Sequence, residues 1–409
     1  MIGVGEAQTF VLETLTPLSR VDRALEEALG CVAAQQIIAT EPVPGFKNSS
    51  MDGYALRAID TCDGPVRLRV LGTVLAGDAP EHQLKEGQAV RIMTGAPIPG
   101  GADAVCMIEE TVVDPDGRTV LIAKTIEPGQ SVRQAGDDIA VGQLLIEVGR
   151  ELGGAQIGVL ASQGCASVSV HPRPRVGVMS TGNELAGPGG SLSFGKIRDA
   201  NRPMLLALLR QSGFTPIDLG IASDNELEIT RKLRLGVDGC DAVIATGGVS
   251  VGDVDFVKTV LAEICSEKAR WMQVAMRPGK PFAFGTAGER GTPIFGLPGN
   301  PVSTRVSFEM FVRPALRRLA GHRVLQRPTL NMVLDCAMAR KPDGKLHLVH
   351  VTSRVHDDGR MHIENASREG SHLLSAVANA NALAMIPDGH GFTPGDVARA
   401  MILDHETGD

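Results

Sequence analysis

Between residues 175 and 320, short apolar runs alternate with amphipathic stretches of helical period. Segments 175–180, 216–221, 241–245, 282–284 and 293–297 read as strands, and 202–211, 225–235, 254–264 and 302–319 as helices. This alternation predicts a mostly parallel sheet wrapped by helices. From about residue 40 to 140 the texture changes: Gly, Pro and Asp are frequent and the apolar stretches are short, at 66–75, 89–94, 104–108 and 119–122. That pattern predicts a β-rich inserted domain. Residues 5–38 predict two helices, the second capped by Ser19 with Asp22 three positions on and stopped at Gly30. Residues 142–170 return to helical, small-residue character, and His171-Pro172-Arg173-Pro174 reads as a stiff crossing into the next domain. Past residue 323 the chain is β-like again, with segments 346–355 and 360–366 flanking the turn His356-Asp357-Asp358-Gly359, a hairpin signal.

A chain of 409 residues exceeds one ordinary core and implies two to four domains. The net charge of −7 gives no basic footprint for nucleic acid, and eleven Phe, one Tyr and one Trp leave little for base stacking. The seven cysteines are odd in number and contain no C-x-x-C pair. This argues against a disulfide framework or a cysteine zinc site and predicts a reducing, cytoplasmic location. No uninterrupted apolar segment approaches membrane-spanning length, so no membrane partner is expected. His347 and His350, three apart in a strand-like run, fall on opposite faces and are poor joint ligands. His362-Ile363-Glu364 looks like half of a deaminase signature, but no P-C-x-x-C follows. Both groups read as surface or packing histidines.

The run Asp241 to Asp253 carries the most chemical information. A short buried-type strand enters a turn of small and glycine residues, Gly247-Gly248-Val249-Ser250-Val251-Gly252, and a helix-like stretch follows. Strand, glycine turn and helix N-terminus form an oxyanion-binding geometry, because backbone N–H groups point outward and glycine allows close approach. Further α/β-domain and insert loops share this character: Thr181-Gly182-Asn183-Glu184, Arg277-Pro278-Gly279-Lys280, Pro298-Gly299-Asn300-Pro301, and the acid- and hydroxyl-bearing turns around Asp52 and Thr94. Each alone is an ordinary turn. Together they describe a site.

Seven motifs in order, MDGYA (51–55), RIMTGAPIP (91–99), STGNEL (180–185), DANRP (199–203), TGGVSVGDVDF (246–256), RPGKPFAFG (277–285) and GLPGNPVS (296–303), closely resemble the molybdopterin molybdenumtransferase family, to which the gephyrin E-domain belongs. Ala380-Asn381-Ala382-Leu383 fits the C-terminal pattern, so the likeness covers nearly the whole chain. The resemblance implies a multidomain α/β plus β protein. Its parts are a molybdopterin-binding α/β domain (1–21 with 171–322), a linker domain (22–39 with 142–170), a β-rich insert (40–141) and a small C-terminal β-barrel (323–409). It also implies an elongated homodimer with a site between the α/β domain of one subunit and the insert of the other. The implied reaction inserts molybdate into adenylated molybdopterin with release of AMP. The upstream adenylyltransferase and acceptor molybdoenzymes are the further expected partners.

Carried over position by position, the resemblance marks Asp52, Thr94, Glu184, Asp224 and Asp255 as functionally important acids and hydroxyl, with Asp138 aligned beside Asp137. Phosphates and a dianion repel bare carboxylates, so Glu184, Asp224, Asp255 and Asp138 are expected to hold Mg²⁺, with Asp253 a weaker candidate that can simply cap the following helix. Gly247, Gly248, Ser250, Gly252, Arg277 and Lys280 would supply donors to phosphate or molybdate, and the turn Pro298, Asn300, Pro301 would line the substrate. Two departures stand out: Gln273 and Arg277 occupy positions that are lysines in well-known members. Glutamine removes the charge, and arginine keeps it in a planar fork. Three other readings stay open at this point. Gly248-Val249-Ser250-Val251-Gly252 matches a serine-hydrolase nucleophile elbow, though without an evident base or oxyanion segment. A non-catalytic molybdopterin-binding scaffold or paralogue is another, and the related adenylyltransferase is the last.

Overall fold

The apolar run Ala242–Thr246 is a strand buried along its whole length, inside a six-stranded sheet. In spatial order the sheet is Thr215–Ala222, Arg175–Thr181, Ala242–Thr246, Thr292–Leu297, Pro281–Ala287 and Arg270–Gln273. The first four strands run parallel, Pro281–Ala287 is antiparallel to them, and Arg270–Gln273 is antiparallel to Pro281–Ala287. Burial on both faces explains why these strands read as continuous apolar runs rather than alternating ones. Val176, Val178, Ala242 and Ile244 face one core, with Leu205 and Leu209 of the Asn201–Gln211 helix. Met179, Val243 and Ala245 face the other, against Ile229, Leu233 and Val237 of the Glu226–Gly239 helix.

The computed structural model describes residues 1–79, 81–248, 256–265, 269–366 and 374–403. These form two compact units: Met1–Ala34, Val148–Gly153 and Val168–Asp409 in the first, Gln35–Glu147 and Gly154–Ser167 in the second. The first unit also holds a closed five-stranded barrel. Its strands Leu346–Val355, Met361–Asn365, Thr329–Leu334, Val397–Ile402 and Ala382–Ile386 pair in that order, and the last pairs with the first. Asn381 ties the barrel by accepting from Ser353 N at 2.6 Å and Ser353 Oγ at 3.0 Å. The second unit contains a six-stranded sheet, ordered Ala104–Met107, Gly53–Leu56, Gln88–Ile92, Val66–Val74, Thr119–Ile122 and Thr111–Val113.

The N-terminal expectation of two helices is half right. Val4–Thr14 is helical, but Val21–Ala24, Val32–Ala33 and Ile37–Ile38 are short strands and Leu25–Glu27 a single 3₁₀ turn. Val21–Ala24 pairs with the Ser167–His171 strand, a long-range partner that the local helix-cap signal at Ser19 could not register. Residues 142–170 likewise hold one helix, Gly154–Ser162, between strands.

The predicted helix at 302–319 is present with an irregularity. Pro301–Ser307 and Arg313–Leu319 are α-helical, and Phe308–Val312 between them is a π turn. Pro314 has no N–H to return to the preceding turn, so a carbonyl is freed there. Gln8 Nε2 donates to the Met310 carbonyl at 2.8 Å and fills that vacancy from the N-terminal helix. Inside the π turn, Glu309 is 2% exposed and is held by Arg305 and by Arg327, whose Nε lies 2.6 Å from Glu309 Oε2.

Replacing Glu309 with Gln leaves two guanidinium groups facing an uncharged amide in a buried setting. Breaking such a pair costs about 3–5 kcal/mol. Urea unfolding followed by the fluorescence of Trp271, the single tryptophan, is expected to show that loss with the surface-exposure slope unchanged.

Candidate functional site

The strand order contains a reversal. After Arg175–Thr181 the chain moves outward to Thr215–Ala222, then returns to the opposite side at Ala242–Thr246. The carboxyl ends of the 175–181 and 242–246 strands therefore border a topological switch point, the place where open α/β sheets bind ligands. Two loops leave it in opposite directions, Gly182-Asn183-Glu184 and Gly247-Gly248. They touch: a Cβ on Gly247 would lie 2.4 Å from the Thr181 carbonyl oxygen, and Gly247 has φ +91°. Only glycine fits there. Its own N–H donates to the Leu297 carbonyl at 3.2 Å, so Gly247 shapes the loop, whereas Gly248 is exposed.

Asn201 ties the loops together. Its Nδ2 donates to Thr246 Oγ1 and to the Gly299 carbonyl, each at 2.8 Å. Thr246 Oγ1 and Thr304 Oγ1 both donate to the Pro298 carbonyl, at 3.0 and 2.6 Å. Asp199 accepts from Ser180 Oγ and from Arg202, which also reaches Asp218. Asn201 Oδ1 and Thr181 Oγ1 are buried without a partner among the described residues. Buried polar atoms are rarely left so, and this spare hydrogen-bonding capacity suits a bound polar ligand or water.

Glu184 and Asp224 are exposed at this crevice. A reciprocal bond positions Asp224: the Asn183 N–H donates to Asp224 Oδ2 at 2.9 Å, and the Asp224 N–H donates to Asn183 Oδ1 at 3.1 Å. The Glu184 carboxylate folds over Gly182, where a Cβ would lie 2.5 Å from Oε2. Lys196 donates to the Asn183 carbonyl beside them. Among the described residues Glu184 and Asp224 do not converge with a third ligand. Asp255, the third acid expected there, lies outside the described residues, as do Ser250, Gly252 and Asp253.

Arg277 and Lys280 are exposed on a turn closed by the Val274 N–H donating to the Lys280 carbonyl at 2.8 Å. Gln273 is exposed on the edge strand, and its carbonyl accepts from Ile2 N. Asn300 Oδ1 accepts from Val302 N at 3.0 Å and Ser303 N at 3.2 Å, with Pro301 at the first helical position. Its oxygen therefore serves as a helix cap, which leaves the Nδ2 group for other contacts. Pro298 is buried and contributes its carbonyl to the clamp.

In the second unit, Asp52 Oδ1 accepts from both the Thr94 N–H and Thr94 Oγ1 at 2.7 Å. The two bonds, the backbone one foremost, hold the Asp52 carboxyl below its ordinary value. Asp137 accepts from Gln134 N and closes its own turn, while Asp138 is exposed with its N–H on the Val43 carbonyl. Asn201, Asp199 and Asn183 carry the geometry without having been assigned roles from sequence. Their signal was present in the DANRP and STGNEL motifs, but a buried amide bridging three loops has no local periodicity to reveal it.

Family descriptions match along the chain. "MoeA N-terminal region (domain I and II)" covers residues 2–164, "Probable molybdopterin binding domain" 177–318 and "MoeA C-terminal region (domain IV)" 333–403. The chain is 35% identical over 392 residues to a protein named molybdopterin molybdenumtransferase from Haemophilus influenzae, covering 96% of each. It is 36% identical to molybdopterin molybdenumtransferase 2 of Mycobacterium tuberculosis, covering 95% of this chain and 96% of that one. A crystal structure titled as a molybdopterin biosynthesis MoeA protein from Pyrococcus horikoshii superposes with TM-score 0.82 at 30% identity, covering 99% of both chains.

A lowered carboxyl value means that Asp52 contributes stability above about pH 3.9, its unfolded value, and loses it as pH falls through the lower folded one. The Thr94 amide resonance is accordingly expected to keep its hydrogen-bonded shift down to pH values below about 3.9. A midpoint at or above that value would show that the Asp52–Thr94 bond contributes nothing in solution.

Proposed function

We infer the reaction from the premise that the chain belongs to the MoeA family: it is a molybdopterin molybdenumtransferase, which inserts molybdate into adenylated molybdopterin and releases AMP. The observation that carries this reading at the site is the meeting of the Thr181–Glu184 and Thr246–Gly248 loops at the sheet's switch point, beside a fixed Asp224. The backbone N–H of exposed Gly248 suits the phosphates of the adenylated substrate. Arg277 and Lys280, exposed and cationic, suit capture of the molybdate dianion. Asn201 Oδ1 and Thr181 Oγ1, unpartnered among the described residues, can orient polar groups of the pterin substrate.

Mg²⁺ belongs to the proposal. Glu184 and Asp224 offer hard carboxylate oxygens, and among the described residues Asp224 commits only Oδ2, to the Asn183 N–H, which fits such an ion. Asp255 would complete the set, and Asp138 remains a candidate by resemblance. When bound, the ion would neutralise charge on the phosphoanhydride as it breaks. Glu184 and Asp224 hold their positions through the Gly182 turn and the Asn183 exchange, so little reorganisation is required of them. A homodimer and a cytoplasmic location complete the reading. The seven free cysteines, four of them buried, suit a reducing compartment. Among the described residues no helix is long and apolar enough to cross a membrane.

The test is AMP release and cofactor formation from adenylated molybdopterin, molybdate and Mg²⁺. Glu184→Gln and Asp224→Asn are each expected to slow turnover by about 100-fold or more. Turnover by either variant at the wild-type rate would remove these acids from the reaction. In the same assay Gln273→Lys is expected to lower the half-saturating molybdate concentration about threefold, the effect of an exposed ion pair worth ~0.6 kcal/mol. Light scattering of the purified protein checks the dimer.

A further inference from the structure

The C-terminal barrel gathers two imidazoles and a carboxylate from three separate elements. Asp335 follows the Thr329–Leu334 strand, His356 opens the hairpin turn, and His362 lies on the Met361–Asn365 strand. Strand register fixes them: Val333 pairs with His362, Arg354 pairs with His362 from the other side, and the Asp335 N–H donates to the Ile363 carbonyl at 3.0 Å. The turn is closed by His356 N donating to the Arg360 carbonyl at 3.0 Å. The candidate ligand atoms of Asp335, His356 and His362 all lie within 4.8 Å of one another. Bonds of about 2.0–2.2 Å to one tetrahedral ion place its ligand atoms roughly 3.3–3.6 Å apart, and His356 Nε2 stands 3.3 Å from Asp335 Oδ2.

Two details of the hydrogen bonding point to a cation. His356 Nε2 accepts from Arg354 Nε at 3.0 Å, so it presents a lone pair, yet it also faces Asp335 Oδ2 at 3.3 Å. Two acceptors directed at each other in this way are reconciled by a positive ion between them. His362 offers Nδ1 to Asp335 at 2.6 Å, while its other nitrogen, Nε2, lies 3.2 Å from Asp358 Oδ2. A carboxylate on the far nitrogen of a histidine is the usual outer partner of a metal ligand, fixing the tautomer and raising its basicity. The two rings stack at 4.0 Å with an 8° interplanar angle, which sets both toward the same carboxylate.

We infer that Asp335, His356 and His362 form a binding site for a divalent transition-metal ion, Zn²⁺ in the first instance, on the C-terminal barrel and separate from the proposed Mg²⁺ acids. Two nitrogens and one oxygen suit Zn²⁺ and its borderline neighbours, whereas Mg²⁺ demands oxygen ligands. Three protein ligands leave a fourth position for water or an exogenous ligand. Arg354 would give up its bond to His356 when the ion enters. Hydrogen bonding to Asp335, and then to Asp358, raises the His362 imidazole above its ordinary value.

The experiment is calorimetric titration of Zn²⁺ into chelator-stripped full-length protein in excess Mg²⁺, with wild type beside His356→Asn, His362→Asn and Asp358→Asn. Wild type is expected to take up one equivalent more than either histidine variant. Asp358→Asn keeps all three ligands and is expected to bind that equivalent about 10-fold more weakly or worse. It therefore reports on the site even if a histidine variant fails to fold. Co²⁺ should give a visible absorption band in wild type that both histidine variants lack. Absence of Zn²⁺ uptake by wild type, or uptake that none of the variants changes, overturns the site and leaves a hydrogen-bonded cluster.

Discussion

One amide nitrogen holds the crevice of the α/β sheet together. Asn201 Nδ2 donates both to Thr246 Oγ1, at the end of a central strand, and to the Gly299 carbonyl, in the next strand's exit loop. The Pro298 carbonyl accepts Thr246 Oγ1 and Thr304 Oγ1, which joins the same loops to the following helix. These bonds are buried, where an unmade bond is costly, so the loops are held in one arrangement. Gly247 can then pass against the Thr181 carbonyl, and Asp224 can exchange bonds with Asn183 at the rim. The exchange between Asp224 and Asn183 stands at the rim of this uncharged clamp.

The long helix after the last parallel strand shows a second kind of accommodation. Pro314 removes a donor in its interior, a π turn absorbs the irregularity, and Gln8 supplies the missing bond to Met310. Glu309, carried into the interior by that turn, is neutralised by Arg305 and Arg327. The helix period at 302–319 was plain from the sequence. The partners were not, because Gln8 lies some three hundred positions away in the chain and Arg327 beyond the helix end.

The histidines teach a related lesson. Local spacing correctly separates His347 from His350, which point to opposite faces of one strand. The same reasoning passes over His356 and His362, whose relation to each other and to Asp335 arises from a hairpin and from a third, parallel strand. The turn His356-Asp357-Asp358-Gly359 was legible as a turn, and it is one, with Gly359 at φ +75°. Its capacity to present a ligand set was not, because that depends on the register of a strand more than twenty residues earlier.

Read alone, the sequence determined the class of fold, the α/β core, the β-rich insert and the glycine-bearing loops at the strand ends. Those features follow from local rules: buried parallel strands need continuous apolar runs, and sharp loops at strand ends need glycine. The family, too, was legible, since its motifs are contiguous in the chain. Tertiary structure decided what no local pattern contains. It made strands of the segment after Ser19 by pairing two of them with Ser167–His171, and it set Asn300 to capping a helix. It also spent the Gly247 N–H on the Leu297 carbonyl of the neighbouring strand and brought Asp335 to His356 and His362. Each outcome depends on a partner distant in sequence or on competition for a single donor or acceptor, and such competition is settled only when the chain is packed.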